Sequence, residues 1–254
     1  MTGRLAIVGL GPGAPELVTP VAAEALSAAT DLVGYAPYLA RVPERPGQRR
    51  HASDNREELA RAREALNLAE AGKAVALVSS GDPGIFAMAS AIFEAIEMGK
   101  PEWRGIEVTV VPGVSAMLAA AARAGAPLGH DFCVLSLSDN LKPWEIVLQR
   151  LEAAAGADLV IVLYNPASKA RPWQLGEAFR AIARHRAGTT PVIFAHAVSQ
   201  PDERIEIATL AESETCRADM RTLVIVGSSA TRLLPRGAGA PFVYTPRHAE
   251  MVPS

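Results

Sequence analysis

The segment Ser80-Gly81-Asp82-Pro83-Gly84-Ile85 carries the residue types best suited to chemistry in this chain. It follows an apolar run at 74–78 and precedes a stretch whose apolar spacing is helical. Gly81 permits close approach of the backbone to a ligand. Asp82 precedes a proline and is pushed toward an extended conformation. Pro83 suits the first position of a helix. A strand that ends in such a turn presents backbone groups and one carboxylate at the carboxyl edge of a sheet, where open α/β folds bind ligands. Two roles are open to Asp82: capping a helix that starts at Pro83, or touching a ligand.

Two further turns have the same plan. Gly9-Leu10-Gly11-Pro12-Gly13-Ala14 matches the dinucleotide fingerprint by letters. In a dinucleotide site the helix begins inside the glycine loop, so that its N-terminus meets the pyrophosphate. Here Pro12 and Pro15 delay the helix to Thr19 as cap and Pro20 as first helical residue. The pattern argues against NAD or FAD and suits a ligand without pyrophosphate; a tight turn at a sheet edge is the other reading. Val111-Pro112-Gly113-Val114-Ser115-Ala116 is again strand, turn and helix, with Ser115 at the cap position. Three such turns at successive strand ends in one half of the chain could line one crevice.

The second half offers Tyr164-Asn165-Pro166, whose amide can donate and accept hydrogen bonds, as an adenine edge or a carboxylate requires. A turn-forming Asn is the alternative there. The block at 129–144 places His130, Ser138 and Asp139 at the two ends of a short strand. A histidine can exchange a proton near neutral pH; Ser138 or Asp139 could instead cap the helix after Pro143. Arg41, Arg45, Arg49 and Arg50 lie in one stretch that reads as a solvated loop, with carboxylate binding as the sharper alternative.

The elements needed to position these groups alternate. Strands are expected at 5–9, 74–78, 107–111, 132–137, 159–163, 192–195 and 222–226, and helices at 20–29, 56–71, 84–97, 115–123, 143–153 and 172–185. Such alternation predicts an α/β protein with parallel-rich sheets. The turn-forming Gly125-Ala126-Pro127-Leu128-Gly129 marks a boundary between two α/β domains, 1–126 and 127–254. The Pro- and Gly-rich residues from Pro235 onward read as an extended surface tail.

The composition narrows the function class. The net charge of −2 gives no reason to expect nucleic acid or an anionic membrane as partner. The two isolated cysteines, Cys133 and Cys216, form no disulfide framework and no metal motif, and a reduced, cytoplasmic setting fits them. The five histidines show no paired metal spacing, so no metal is expected. The opening apolar run is too short for a signal peptide, and no stretch reaches the length of a membrane span. No Gly-x-Ser-x-Gly elbow or Walker loop is present.

Taken in order, Gly9-Leu10-Gly11-Pro12-Gly13 with Leu17 and Thr19, then Gly81-Asp82-Pro83, then Pro112-Gly113-Val114-Ser115-Ala116, then Tyr164-Asn165-Pro166 resemble the class III, tetrapyrrole-type S-adenosylmethionine methyltransferases. The block at 129–144, Gly34-Tyr35-Ala36-Pro37-Tyr38-Leu39 and Ser53-Asp54-Asn55-Arg56-Glu57 are similar to its corrin-pathway members that also contract the macrocycle. The resemblance implies the tetrapyrrole methylase fold, two α/β domains with a cofactor cleft between them, and a homodimer. It implies S-adenosyl-L-methionine as cofactor, S-adenosyl-L-homocysteine as product, and a carboxylate-rich tetrapyrrole as substrate. Carried over, the cofactor residues are Leu10, Ser80, Gly81, Asp82, Ile85, Ser115, Ala116, Tyr164, Asn165 and Ala197. Tyr35, Ser53, Asp54, Asn55 and Arg56 are expected to meet the substrate, and His130, Ser138 or Asp139 to assist proton transfers during ring contraction. Many relatives carry an acidic residue after the last glycine of the first loop; here it is Ala14, so a base must come from elsewhere. The nearest contrasting reading is a different corrin-pathway methyltransferase of the same fold; an RNA methyltransferase of this fold is disfavoured by the net charge of −2 and the lack of an aromatic-basic strip, and a non-catalytic nucleoside-binding α/β protein is the third.

Overall fold

The computed structural model describes residues 3–54, 57–213 and 216–248, and the chain divides into two compact units, Met1–Ala116 and Met117–Ser254. In the first unit, β1 (Arg4–Gly9), β2 (Asp31–Tyr35), β3 (Arg49–Ser53), β4 (Ala74–Ser79) and β5 (Glu107–Val111) form one sheet in the order β3-β2-β4-β1-β5. Every pairing in it is parallel. The connections carry α1 (Pro20–Ala28), α2 (Ala36–Leu39), α3 (Glu58–Glu70) and α4 (Met88–Met98). Alternate residues of the central strands enter two separate cores. Leu5, Ile7, Val75 and Leu77 pack with Ala62, Leu66 and Ile92 from α3 and α4. Val8, Ala76 and Val78 pack with Ala22 and Leu26 of α1. Burial on both faces explains why these strands read as continuous apolar runs. Because all five strands run the same way, their carboxyl ends lie along one edge, in the spatial order Ser53, Tyr35, Ser79, Gly9, Val111.

Strands β2 and β3 escape the sequence pattern, and the solvated-loop reading of the arginine stretch holds at exposed Arg45 but fails at Arg49 and Arg50, which lie on β3. Arg49 and His51 lie on β3 and close on Asp31, whose side chain is fully buried. Burial alone would raise the pKa of Asp31, but hydrogen bonds from His51, Thr30 and Arg49 outweigh it and hold the carboxyl below its ordinary value. Arg50 donates to the Leu39 and Val42 carbonyls at 2.8 and 2.7 Å.

The second unit opens with α5 (Ala116–Ala124), which starts on the last residue of the first, and β6 (Gly125–Ala126). It continues with β7 (Phe132–Ser136), α6 (Trp144–Gly156), β8 (Val160–Tyr164), α7 (Gln174–Ile182), β9 (Pro191–His196), β10 (Arg204–Thr209) and β11 (Thr222–Val226). Its sheet has the order β10-β9-β11-β8-β7. Only β7 and β8 pair in parallel; β11 is antiparallel to both of its neighbours, and β10 to β9. Strands β7, β8 and β9 therefore point the same way, and their carboxyl ends share an edge. Leu151, Ile161, Leu163, Phe179, Ile182, Phe194 and Val224 fill the core.

The last described residues are not a loose tail. β12 (Arg232–Leu234) and β13 (Phe242–Tyr244) form a hairpin, and β13 pairs in parallel with β6. The Thr245 hydroxyl donates to the Pro127 carbonyl at 2.7 Å. These bonds hold the Gly125–Gly129 turn within the second unit, and the division between the units lies between Ala116 and Met117, at the start of α5. Among the described residues, no helix is long and apolar enough to cross a membrane.

Candidate functional site

In the first unit the three glycine turns follow β1, β4 and β5, which are adjacent in the sheet. They are packed backbone to backbone. Gly11 N donates to Gly81 O at 3.2 Å, and Gly81 N to Gly11 O at 2.9 Å. A Cβ placed on Gly9 would lie 2.7 Å from both Gly113 N and Gly81 O. A Cβ on Gly113 would lie 2.2 Å from Gly81 O. Side chains are excluded where the three turns meet. Gly11 and Gly81 also take positive φ of 67° and 63°, which glycine adopts without strain.

Asp82 joins this contact in a way the sequence did not indicate. It does not cap a helix at Pro83, because α4 starts only at Met88. Its Oδ1 accepts from Gly84 N at 2.8 Å, and its Oδ2 accepts from Gly113 N at 3.1 Å. One carboxylate shapes its own turn and fastens it to the next. The delay of α4 has a local cause: Phe86 sits at φ 50°, and Ala87 is extended. A positive φ is strained for a bulky side chain, and strain of this kind gathers at binding loops.

Ser115 is 2% exposed, and its Oγ has no partner among the described residues. It therefore does not serve as the cap expected of it. A buried hydroxyl without a partner costs free energy, and a polar ligand group at this turn would relieve it. Thr19 does cap α1, accepting from Ala22 N at 3.2 Å, so the helix is delayed past the glycine loop as the prolines require. Leu10 contributes backbone rather than side chain, because its side chain is buried in the core with Val8 and Leu26.

Tyr35 and Ser53 extend the same carboxyl edge from β2 and β3. Tyr35 stacks edge-on with Tyr38, with ring centroids 5.1 Å apart. Ser53 Oγ accepts from Arg61 Nε at 2.7 Å, and Arg61 also donates to the Asp54 carbonyl. The buried Arg61 thus anchors the start of this segment to α3. Asn55 and Arg56 lie outside the described residues.

In the second unit the expected residues again stand at strand ends. Tyr164 closes β8, and its hydroxyl accepts from Met117 N at 3.2 Å. Asn165 follows at φ 52°, and its Nδ2 donates to Ser136 Oγ at 2.9 Å at the end of β7. Ala197 follows β9 at φ 48° and is buried. Ser138 and Asp139 do not cap α6, which begins at Trp144 without a side-chain cap. Ser138 N donates to Ser136 Oγ at 3.3 Å, and Asp139 is paired with Arg171. His130 lies one residue before Asp131, whose Oδ2 is 3.9 Å from its Nδ1. Sequence reasoning missed Ser136 and Arg171, which hold Asn165 and Asp139, because neither sits in a distinctive motif.

Comparison with known proteins adds to this geometry. Residues 4–214 match the family model of the tetrapyrrole (corrin/porphyrin) methylases. The chain is 57% identical to a precorrin-3B C(17)-methyltransferase from Sinorhizobium sp. over 247 residues, 97% of each chain. The crystal structure of the methyltransferase CobJ superposes with a TM-score of 0.90 at 49% identity, covering 96% of this chain and all of that one. A uroporphyrin-III C-methyl transferase from Thermus thermophilus, complexed with S-adenyl homocysteine, gives a TM-score of 0.67 at 27% identity over 89% of this chain and 97% of that one.

Proposed function

This chain belongs to the tetrapyrrole (corrin/porphyrin) methylase family, and on that premise we propose that it transfers a methyl group from S-adenosyl-L-methionine to carbon 17 of precorrin-3B, with ring contraction to precorrin-4, in cobalamin biosynthesis. The observation that carries this reading is the 57% identity, sustained over 97% of both chains, to a protein named for that reaction.

The residues present fit the cofactor. The three-glycine contact forms a wall that a Cβ would fill, and the orphaned Ser115 hydroxyl beside it calls for a polar ligand group. In the first unit the backbone of Leu10, Ser80, Gly81, Asp82, Ile85, Ser115 and Ala116 would hold it; in the second, Tyr164, Asn165 and Ala197. S-adenosyl-L-methionine, when bound, supplies a methyl group on a sulfonium that is already a good electrophile. The protein's work is therefore alignment of the ring carbon and exclusion of water. The Asp82 bonds to Gly84 and Gly113 fix the wall before any ligand arrives.

We assign Tyr35, Ser53, Asp54, Asn55 and Arg56 to the carboxylate-bearing substrate. His130, Ser138 and Asp139 are the groups we assign to proton transfers at the macrocycle. Of these, Asp139 is paired with the Arg171 guanidinium, which fixes its place beside the end of β7. A homodimer in the cytoplasm completes the proposal.

The test is to incubate the protein with S-adenosyl-L-methionine and precorrin-3B. One added methyl group and the absorption change of a contracted ring are expected. Binding of S-adenosyl-L-homocysteine without either product would overturn the assigned reaction and leave a nucleoside-binding protein.

A further inference from the structure

Arg41 has no part in the site described above, yet it is bonded to more of it than any single cofactor residue. It lies just past α2, in a turn fixed by Arg41 N to Tyr38 O at 3.1 Å and Val42 N to Leu39 O at 3.0 Å. From there its side chain reaches over to the glycine turn after β1. Nη2 donates to the Leu10 carbonyl at 2.7 Å and the Gly11 carbonyl at 2.9 Å, with the Gly13 carbonyl at 3.5 Å. Nη1 donates to Ser80 Oγ at 3.2 Å. One planar guanidinium thus engages two of the three turns. Its Nε is buried without a partner among the described residues.

We propose that Arg41 is the positioning residue of the cofactor site, holding the Gly9–Gly13 turn and Ser80 in their binding arrangement before the cofactor enters. This rests on the reading of these turns as the S-adenosyl-L-methionine site.

The physical argument starts from the turn itself. Gly9-Leu10-Gly11-Pro12-Gly13 has three glycines, which gain more conformational freedom on loosening than other residues do. No helix begins within it to order it. A ligand that had to order the turn would lose affinity to that cost. Arg41 adds order from outside, by charge-assisted bonds to the Leu10 carbonyl and to the Gly11 carbonyl, which also accepts from Gly81 N. Burial of the guanidinium is unfavourable and holds its pKa below the ordinary value, with the neighbouring Tyr38 acting the other way. The Arg41 side chain meets carbonyl and hydroxyl oxygens rather than a carboxylate, so its charge is spent on orienting dipoles. A lysine cannot reproduce this geometry, since an ammonium lacks the planar fork that spans two acceptors on one turn and a third on another.

The experiment is calorimetric titration of S-adenosyl-L-homocysteine into the wild-type protein, R41K and R41A, with thermal unfolding of each. We expect R41A to lose about 30-fold in affinity, the scale of one charge-assisted hydrogen bond, while unfolding within a few degrees of wild type. R41K should recover only a small part. Guanidinium chloride below denaturing concentrations should restore affinity to R41A and leave wild type unchanged, a response that a loss of packing does not give. Wild-type affinity in R41A would overturn the role of Arg41 alone. Failure of the wild-type protein to bind the nucleoside would overturn the site reading and Arg41's role with it. If R41A does not fold, R41Q decides: it keeps the first part of the stem and an amide donor without the charge or the reach, and wild-type affinity in it would overturn the proposal.

Discussion

Both units place backbone turns at the carboxyl ends of strands, but they build them from opposite kinds of residue. In the first unit the turns after β1, β4 and β5 meet through glycines, and the contact is so close that a methyl group at Gly113 would lie 2.2 Å from a carbonyl oxygen. In the second, the turns after β8 and β9 put Asn165 and Ala197 at positive φ, where a side chain is disfavoured but present. The difference follows from the sheets. In the parallel sheet, β4, β1 and β5 are neighbours, so their three turns crowd one place and leave no room for side chains. In the mixed sheet, antiparallel β11 separates β8 from β9, and each turn has room for a Cβ. Crowding selects glycine; spacing permits a side chain that bonds sideways, as Asn165 does to Ser136.

The comparison breaks most readily at Gly113. Replacing it with Ala forces backbone apart, because both atoms nearest the new Cβ are main-chain atoms of Gly81 and Gly9. Overpacking typically costs 1–3 kcal/mol, and with no side chain able to yield we expect roughly 3 kcal/mol. Binding of S-adenosyl-L-homocysteine to Gly113→Ala should fall by about 100-fold, since the cost falls on the wall that the ligand needs. Unchanged affinity by calorimetry would show that the glycine contact is structural and unrelated to the ligand. The matching test in the second unit is Asn165→Ala. It removes the bond to Ser136 Oγ and puts an alanine at a positive φ that asparagine tolerates, for an expected loss of about 1–2 kcal/mol in chemical unfolding. A loss as large as that of Gly113→Ala would erase the distinction between the two units.

The same contrast decides what the sequence could reveal. The apolar runs of β1, β4 and β8 and the glycine turns were legible because burial on both faces and close approach each demand a narrow set of residues. The late start of α1 at Pro20 was legible from Pro12, Pro15 and Thr19 for the same reason. Strands β2 and β3 were not, since Asp31, Arg49 and His51 stand in them as a charged cluster that mimics a surface loop. The role of Asp82 was half legible: its carboxylate was expected at the turn, but its bond to Gly113 depends on a strand distant in sequence. Arg41, Ser136 and Arg171 act through partners some 30 residues away, and no local spacing records such reach.

Ala197 gives the smallest and sharpest form of the comparison. At φ 48° it carries the cost that a glycine would avoid, and its side chain is 2% exposed. If the second unit tolerates side chains merely because its turns are uncrowded, glycine there should relieve strain at little expense. Relief of a left-handed alanine, worth about 1 kcal/mol, is opposed by the greater freedom of glycine in the unfolded chain, about 0.5–1 kcal/mol, and by the lost burial of one methyl, about 0.8 kcal/mol. Ala197→Gly should therefore unfold about 0.5 kcal/mol below wild type in urea, and its affinity for S-adenosyl-L-homocysteine then isolates the ordering of this turn. A fall of about 3–5-fold is expected if the turn holds the ligand through its backbone, because the freer glycine must be ordered on binding at a cost of about 0.5–1 kcal/mol. No change in affinity would remove Ala197 from the cofactor residues and leave Tyr164 and Asn165 as this unit's contribution.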